Sequence, residues 1–198
     1  DGAVAQGHAI GSVAVAERAR GRGLARRLVA ATLDAAGDAD WALLFTGTPE
    51  VYRSSGFTTF SMPRTIAGPW AASATAAEPA WIARESMGLG VLGPLREVYE
   101  RSRTGAVVLA PVRSDRDWTM AEVRLRGATL YRLDEAQATV GYAVAEVRDG
   151  VGLLHESATD PTVADPAGVR HAVLEAVGAD WAAAGVRTCE LADRKSVV

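Results

Sequence analysis

Arg20-Gly21-Arg22-Gly23-Leu24-Ala25-Arg26 are the residues whose types and spacing could do chemistry. A diphosphate held beside the start of a helix needs backbone N–H groups aimed at it, residues small enough for close approach, and local positive charge. Gly21 and Gly23 tolerate backbone angles closed to most residues and keep Cβ atoms out of a ligand's path. The amides from Gly21 to Arg26 would line the helix opening, and Arg20, Arg22 and Arg26 would add charge. The same residues could instead form a solvated basic turn, or touch nucleic acid through Arg18 to Arg27. The formal net charge of −3 disfavours nucleic acid, because bulk attraction to phosphate is missing.

Such a turn needs a strand before it and a helix after it, and the neighbouring sequence supplies both. Ala9 to Val15 is an apolar run that reads as a strand. From Leu24 onward Leu24, Leu28, Ala31 and Ala35 share one helical face, Val29 and Leu33 widen it, and Gly37 is a natural stop. Trp41 to Thr46 reads as a strand covered on both faces. A short helix is expected after Thr48, with Thr48 as N-cap and Pro49 in its first turn, ending near Gly56. Phe57 to Met62 would be the next strand.

Residues 67–93 begin with a stretch rich in Ala, Pro, Ser and Thr, and read as a linker. Beyond it, Pro94 to Arg103 suits a helix, and Ala128–Leu133, Thr139–Arg148 and Val151–Ser157 suit three antiparallel strands. Asp149-Gly150 marks a tight hairpin. Asp165 can cap a helix whose inward stripe is Val169, Val173, Val177 and Trp181, with Gly185 at its end and a last strand over Arg187–Leu191. The second half thus repeats strand, turn, long helix, strand.

With its strand and helix context, the basic turn resembles the fingerprint of the GCN5-related N-acetyltransferases (GNAT): Gln or Arg, two residues, Gly, one residue, then Gly or Ala. Arg20, Gly23 and Ala25 fit it. Tyr52-Arg53-Ser54-Ser55-Gly56-Phe57 is similar to the family's later Tyr, three residues, Gly, Phe signature. The resemblance implies acetyl-CoA as co-substrate and no metal. It also implies that Val13, Ala14 and Val15 hold the acetyl carbonyl and the pantetheine arm, and that Gly47 and Thr48 lie beside the cofactor where two strands part. An amine attacking a thioester expels a thiolate, so Tyr52 becomes the general acid that protonates the sulfur.

Val-x-Val, Arg-Gly-Arg-Gly-Leu-Ala-Arg and Thr-Pro-x-x-Tyr together look like the enhanced intracellular survival group, which joins two such folds in tandem. The expected architecture is α/β. Residues 1–66 would be the C-terminal part of a GNAT mixed sheet, truncated at its N-terminal side. Residues 94–198 would be a second, degenerate GNAT-like domain. Its turn from Ala158 to Asp165 is acidic and lacks the cradle, so it should repel a diphosphate. An initial helix and three strands ahead of Ala9 are expected to be missing, as is the C-terminal domain that carries a catalytic base in that group.

Composition narrows the rest. No run reaches the roughly 18 apolar residues of a membrane span, and nothing resembles a secretory leader, so a cytoplasmic protein without membrane contact is expected. Cys189, the only cysteine, suits a core strand, and His8, His155 and His171 lack metal-ligand spacing. Trp70, Trp81, Trp118 and Trp181 read as core or interface aromatics. The expected activity is acetyl transfer to a primary amine of a small molecule or peptide, with self-association left open. The competing reading is a catalytically idle acyl-CoA-binding or scaffold module.

Overall fold

In a computed structural model, which describes residues 4–60, 65–71, 81–103 and 112–192, the first apolar run becomes a short strand, β1 (Gly7–Ile10). It pairs in parallel with β2 (Trp41–Leu44), from Gly7 opposite Trp41 to Ile10 opposite Leu44. The crossover between them is helix α1 (Leu24–Ala35), closed by Gly37 at φ 58°. A Cβ on Gly7 would lie 2.2 Å from the Trp41 ring, so the indole can rest on the strand only because residue 7 has no side chain. These elements belong to a first unit, residues 1–62.

Several expectations for this unit need correction. The strand stops at Ile10, because Ser12 adopts a left-handed φ of 56° that breaks the extended run; Val13–Val15 therefore lie beyond it. The inward face of α1 is centred on Val29 (1% exposed) with Ala25 and Leu33 one turn either side, whereas Leu28 is 50% exposed. Leucine and alanine supply two apolar stripes here, and periodicity alone does not choose between them. β2 ends two residues early and is only partly covered, with Trp41 37% and Phe45 62% exposed. The short helix is instead two 3-10 turns, Pro49–Val51 and Arg53–Ser55, with Tyr52 between them and Gly56 at φ 86°. Thr48 holds the N-cap position without a capping hydrogen bond. No strand forms over residues 57–60, and Ser61 and Met62 lie outside the described residues.

The second unit, residues 63–198, is built on a six-stranded mixed sheet. Its strands are β3 (Thr65–Pro69), β4 (Ala83–Ser86), β5 (Thr129–Glu135), β6 (Ala138–Arg148), β7 (Val151–Thr159) and β8 (Thr188–Ala192). The spatial order is β3-β8-β7-β6-β5-β4, antiparallel except for the β7 and β8 pair. Both edge strands, β3 and β4, fall at least partly in the stretch read as linker. Edge strands need no apolar alternation: all four residues of β4 are exposed, and Pro69 is tolerated because β3 has a neighbour on one side only. The β6 to β7 hairpin turns on Asp149 (φ 53°) and Gly150 (φ 78°), both left-handed as its twist requires.

Helix α4 (Pro166–Ala183) covers one face of this sheet. Its Val169, Val173, Ala176, Val177 and Trp181 bury against Tyr131, Leu133, Ala143 and Ala145. The opposite face is covered by α2 (Arg96–Arg103) and α3 (Asp115–Arg124), through Val98, Tyr99, Trp118 and Ala121 against Leu130, Tyr142 and Val144. Alternation along β6 explains the division, since successive residues point to opposite faces. α3 has no counterpart among the expected elements, because half of its residues are charged. Its signal is the capping box in which Ser114 accepts from the Asp117 amide and Asp117 accepts from the Ser114 amide. Trp118 and Trp181 are buried and Trp70 packs on Trp181, but Trp81 is 66% exposed.

Asp160, at the end of β7, is 5% exposed and accepts the Thr162 amide (2.9 Å) and hydroxyl (2.7 Å) while pairing with Arg101 (2.7 Å). Burial works to raise its pKa, but the Thr162 bonds and the Arg101 charge outweigh it and hold the carboxyl below its ordinary value. A depressed carboxyl stabilises the fold above the unfolded-state pKa of about 3.9, and that contribution disappears as pH falls through the folded-state value. Urea unfolding between pH 2 and pH 6 should therefore show a loss of stability below about pH 4, part of which Asp160→Asn removes. An Asp160→Asn protein with an unchanged acid limb would show that this carboxyl is not coupled to folding.

Candidate cofactor site

The turn that leads into α1 is open. After a 3-10 turn at Glu17–Ala19, Arg20 is extended, Gly21 and Gly23 take φ values of 76° and 69°, and the helix begins at Leu24. Gly23 occupies the N-cap without any side-chain cap, and the first turn carries no acidic residue. Among the described residues, the first α1 amide with an acceptor is that of Arg27, bonded to the Gly23 carbonyl (3.1 Å); none is found for the six amides from Gly21 to Arg26. Helix N-termini leave such groups unpaired and carry about half a positive charge, so consecutive free amides here favour an anion. A Cβ on Gly21 would meet nothing within 4 Å, and one on Gly23 only the Arg26 guanidinium at 4.0 Å. Arg26 thus folds back toward the turn, and no side chain among the described residues blocks it.

Two further segments belong to the same end of this unit. Pairing between β1 and β2 stops at Ile10 and Leu44, and both chains leave the pair there. Val13, Ala14 and Val15 make no backbone–backbone hydrogen bond among the described residues; the Val15 carbonyl accepts from Arg20 Nε at 3.4 Å. Beyond β2, the Thr46 hydroxyl accepts the Thr48 amide (3.0 Å) and lies 3.2 Å from the Thr48 hydroxyl, which fixes the bend around Gly47. Tyr52 follows, half-buried, with its ring edge-on to Phe57 at 6.4 Å. Parallel strands joined by a helix put the loops after both strands and the start of that helix at one end, where such folds bind ligands. Val13–Val15, Arg20–Arg26 and Gly47–Tyr52 are therefore brought to a common end of the strand pair. Thr46 and Ser12 shape it and were not legible as site residues, since a left-handed serine leaves no pattern in sequence.

Residues 4–57 match the model of the acetyltransferase (GNAT) family. That match lies within the first unit. The whole chain is similar in fold to a conserved protein of unknown function from Enterococcus faecalis described as a probable N-acyltransferase, at 16% identity and a TM-score of 0.59 over 93% of this chain and 46% of that one. It is also similar to a GCN5-related N-acetyltransferase from Kribbella flavida, at 19% identity and a TM-score of 0.52, covering 93% of this chain and 45% of that one. At these identities the likeness is one of fold, and the chain spans less than half the length of either. No curated protein sequence matches it.

The matched residues contain the open turn and the parted strands, whereas the second unit treats a similar connection differently. There β7 and β8 are also parallel and joined by a helix, but the start of α4 is closed. Asp165 caps it by accepting the Gly168 amide at 2.9 Å, so a carboxylate already occupies the position an anion would take. Among the described residues no group of three His, Cys, Asp or Glu could hold a metal ion, and no helix is long and apolar enough to cross a membrane.

Proposed function

We propose that the chain transfers an acetyl group from acetyl-CoA to a primary amine of a small molecule or peptide. The observation that carries this is the run of six amides, Gly21 to Arg26, that find no acceptor among the described residues, at the mouth of α1 inside the segment that matches the GNAT family model. The diphosphate would sit on those amides with Arg20, Arg22 and Arg26 around it, and Leu24 and Ala25 would open the helix beneath it. Val13, Ala14 and Val15, which make no backbone–backbone hydrogen bond among the described residues, would hold the acetyl carbonyl and the pantetheine arm. Gly47 and Thr48 would flank that arm. Acetyl-CoA would supply a thioester carbonyl open to direct attack by the amine.

Tyr52 would donate its hydroxyl proton to the departing sulfur as the new C–N bond forms and the C–S bond breaks. The proton that the amine gives up would pass to solvent or to a base that none of these residues provides. Tyr52→Phe should lower turnover about 100-fold, the lower end for general acids because a thiolate leaves readily, with acetyl-CoA affinity unchanged. An unaltered rate would remove Tyr52 from the reaction.

The second unit, in this proposal, is a GNAT-like partner that binds no cofactor, supported by the capped start of α4. Thiol release from acetyl-CoA, measured across a panel of amines, tests the proposal as a whole. Amine-dependent release supports it. Tight binding without release from any amine would make the chain a scaffold.

A further inference from the structure

In the proposed reaction Tyr52 can protonate the sulfur only from within hydrogen-bond reach, so its placement matters to the rate. Among the described residues its hydroxyl has no hydrogen-bond partner, and the phenol end is therefore not what orients it. Its placement comes from the backbone, through a series of local hydrogen bonds that starts at Thr46. The Thr46 hydroxyl accepts the Thr48 amide at 3.0 Å, and the two threonine hydroxyls lie 3.2 Å apart. The Thr48 carbonyl then accepts from the Val51 amide (3.2 Å) and the Pro49 carbonyl from the Tyr52 amide (3.1 Å). The Tyr52 carbonyl accepts from the Ser55 amide (2.9 Å) and the Arg53 carbonyl from the Gly56 amide (3.2 Å). Gly56, left-handed at φ 86°, turns the chain so that the Phe57 ring meets the Tyr52 ring edge-on.

Every later bond in this series joins backbone groups, which any residue supplies. The Thr46 hydroxyl is the side-chain group that ties the series to the end of β2 at Leu44. Thr46 and Thr48 are both exposed, so water takes over the amide if the hydroxyl is lost, and the fold loses little. What changes is the direction in which the chain leaves the strand, and with it the position of the phenol. A displacement of about 1 Å at a catalytic group can cost on the order of 100-fold in rate.

We propose that Thr46 is a positioning residue for the proton donor. Its hydroxyl sets the bend at Gly47 and Thr48 so that Tyr52 reaches the departing sulfur, without itself touching either substrate. The inference rests on the acetyl-CoA reading above.

Thr46→Val keeps the β-branched shape and removes the hydroxyl, whereas Thr46→Ser keeps the hydroxyl. In the intact chain Thr46→Val should lower amine-dependent turnover about tenfold, and Thr46→Ser should stay within about twofold of the original. Acetyl-CoA affinity by calorimetry and the urea midpoint should be unchanged in both. In a Tyr52→Phe background Thr46→Val should lower turnover no further, since no proton donor is left to misplace. The ring-proton shifts of Tyr52 and Phe57, displaced by each other's ring current in the edge-on pair, should move toward free-amino-acid values in Thr46→Val and hold in Thr46→Ser. Full turnover in Thr46→Val, an equal loss in the Tyr52→Phe background, or a loss of acetyl-CoA affinity in place of turnover overturns the positioning role and leaves the acetyl-CoA reading standing. Unmoved ring shifts in Thr46→Val overturn it whatever the activity. Absence of amine-dependent thiol release from the original protein overturns both.

Discussion

Gly23→Asp is expected to weaken acetyl-CoA binding about 1,000-fold, while Gly23→Asn stays within about tenfold of the original protein. Residue 23 sits at φ 69° with no side chain, directly before the free amides of α1. Asp and Asn are both tolerated in the left-handed region and are nearly the same size, so backbone strain and bulk are matched between the two variants. What separates them is charge. A carboxylate about 4 Å from a phosphate oxygen costs on the order of 4 kcal/mol at the effective dielectric of a protein surface, which is about three decades in affinity. Equal affinities for the Asp and Asn proteins, read by calorimetry, would mean that no anion lies at this turn.

Glu156→Ala is expected to cost about 3–5 kcal/mol of stability in the second unit. The Arg113 guanidinium donates to both oxygens of the Glu156 carboxylate, lies 4.2 Å from the Tyr99 ring centre and 4.7 Å from that of Trp118, and Tyr142 donates to the same carboxylate. Both side chains are almost wholly buried, at 4% and 3% exposure. Burial works to lower the Arg113 pKa, yet the Glu156 bonds and charge raise it, so the guanidinium stays charged. Removing the carboxylate leaves that charge in a dry site between two rings. Replacing both partners, as in Arg113→Met with Glu156→Leu, should cost much less than the single change, because no buried ion is left alone. The comparison is made by urea unfolding with the fluorescence of the buried Trp118 and Trp181. A single variant within about 1 kcal/mol of the original would show that solvent reaches the pair.

The elements that sequence exposed were those whose geometry follows from local rules. The hairpin at Asp149-Gly150, the Asp165 cap, the Val169 to Trp181 stripe and the stop at Gly37 each depend on a few adjacent residues. What stayed hidden depends on partners distant in sequence. β3 exists through pairing with β8, more than a hundred residues away, and β4 presents four exposed residues with no apolar pattern. The end of β1 at Ile10 is set by where β2 departs and by the left-handed Ser12, neither of which alters the apolar run that extends to Val15. At the candidate site, the glycines and arginines of the turn were legible because anion binding restricts residue type so strongly. Thr46, which braces Thr48, was not, since hydroxyls in exposed turns are common for many reasons.

The acetyl-CoA proposal depends above all on the amides between Gly21 and Arg26 receiving an anion. Amide chemical shifts of the isotope-labelled chain, followed as acetyl-CoA is added, read those groups one by one. The largest changes should fall on Gly21 through Arg26, with Val13 to Val15 next, and the amides at the start of α4 around Gly168 should not move. Saturating shifts at α4 with the amides of residues 21–26 unmoved, or no saturating shift in either place, would contradict it.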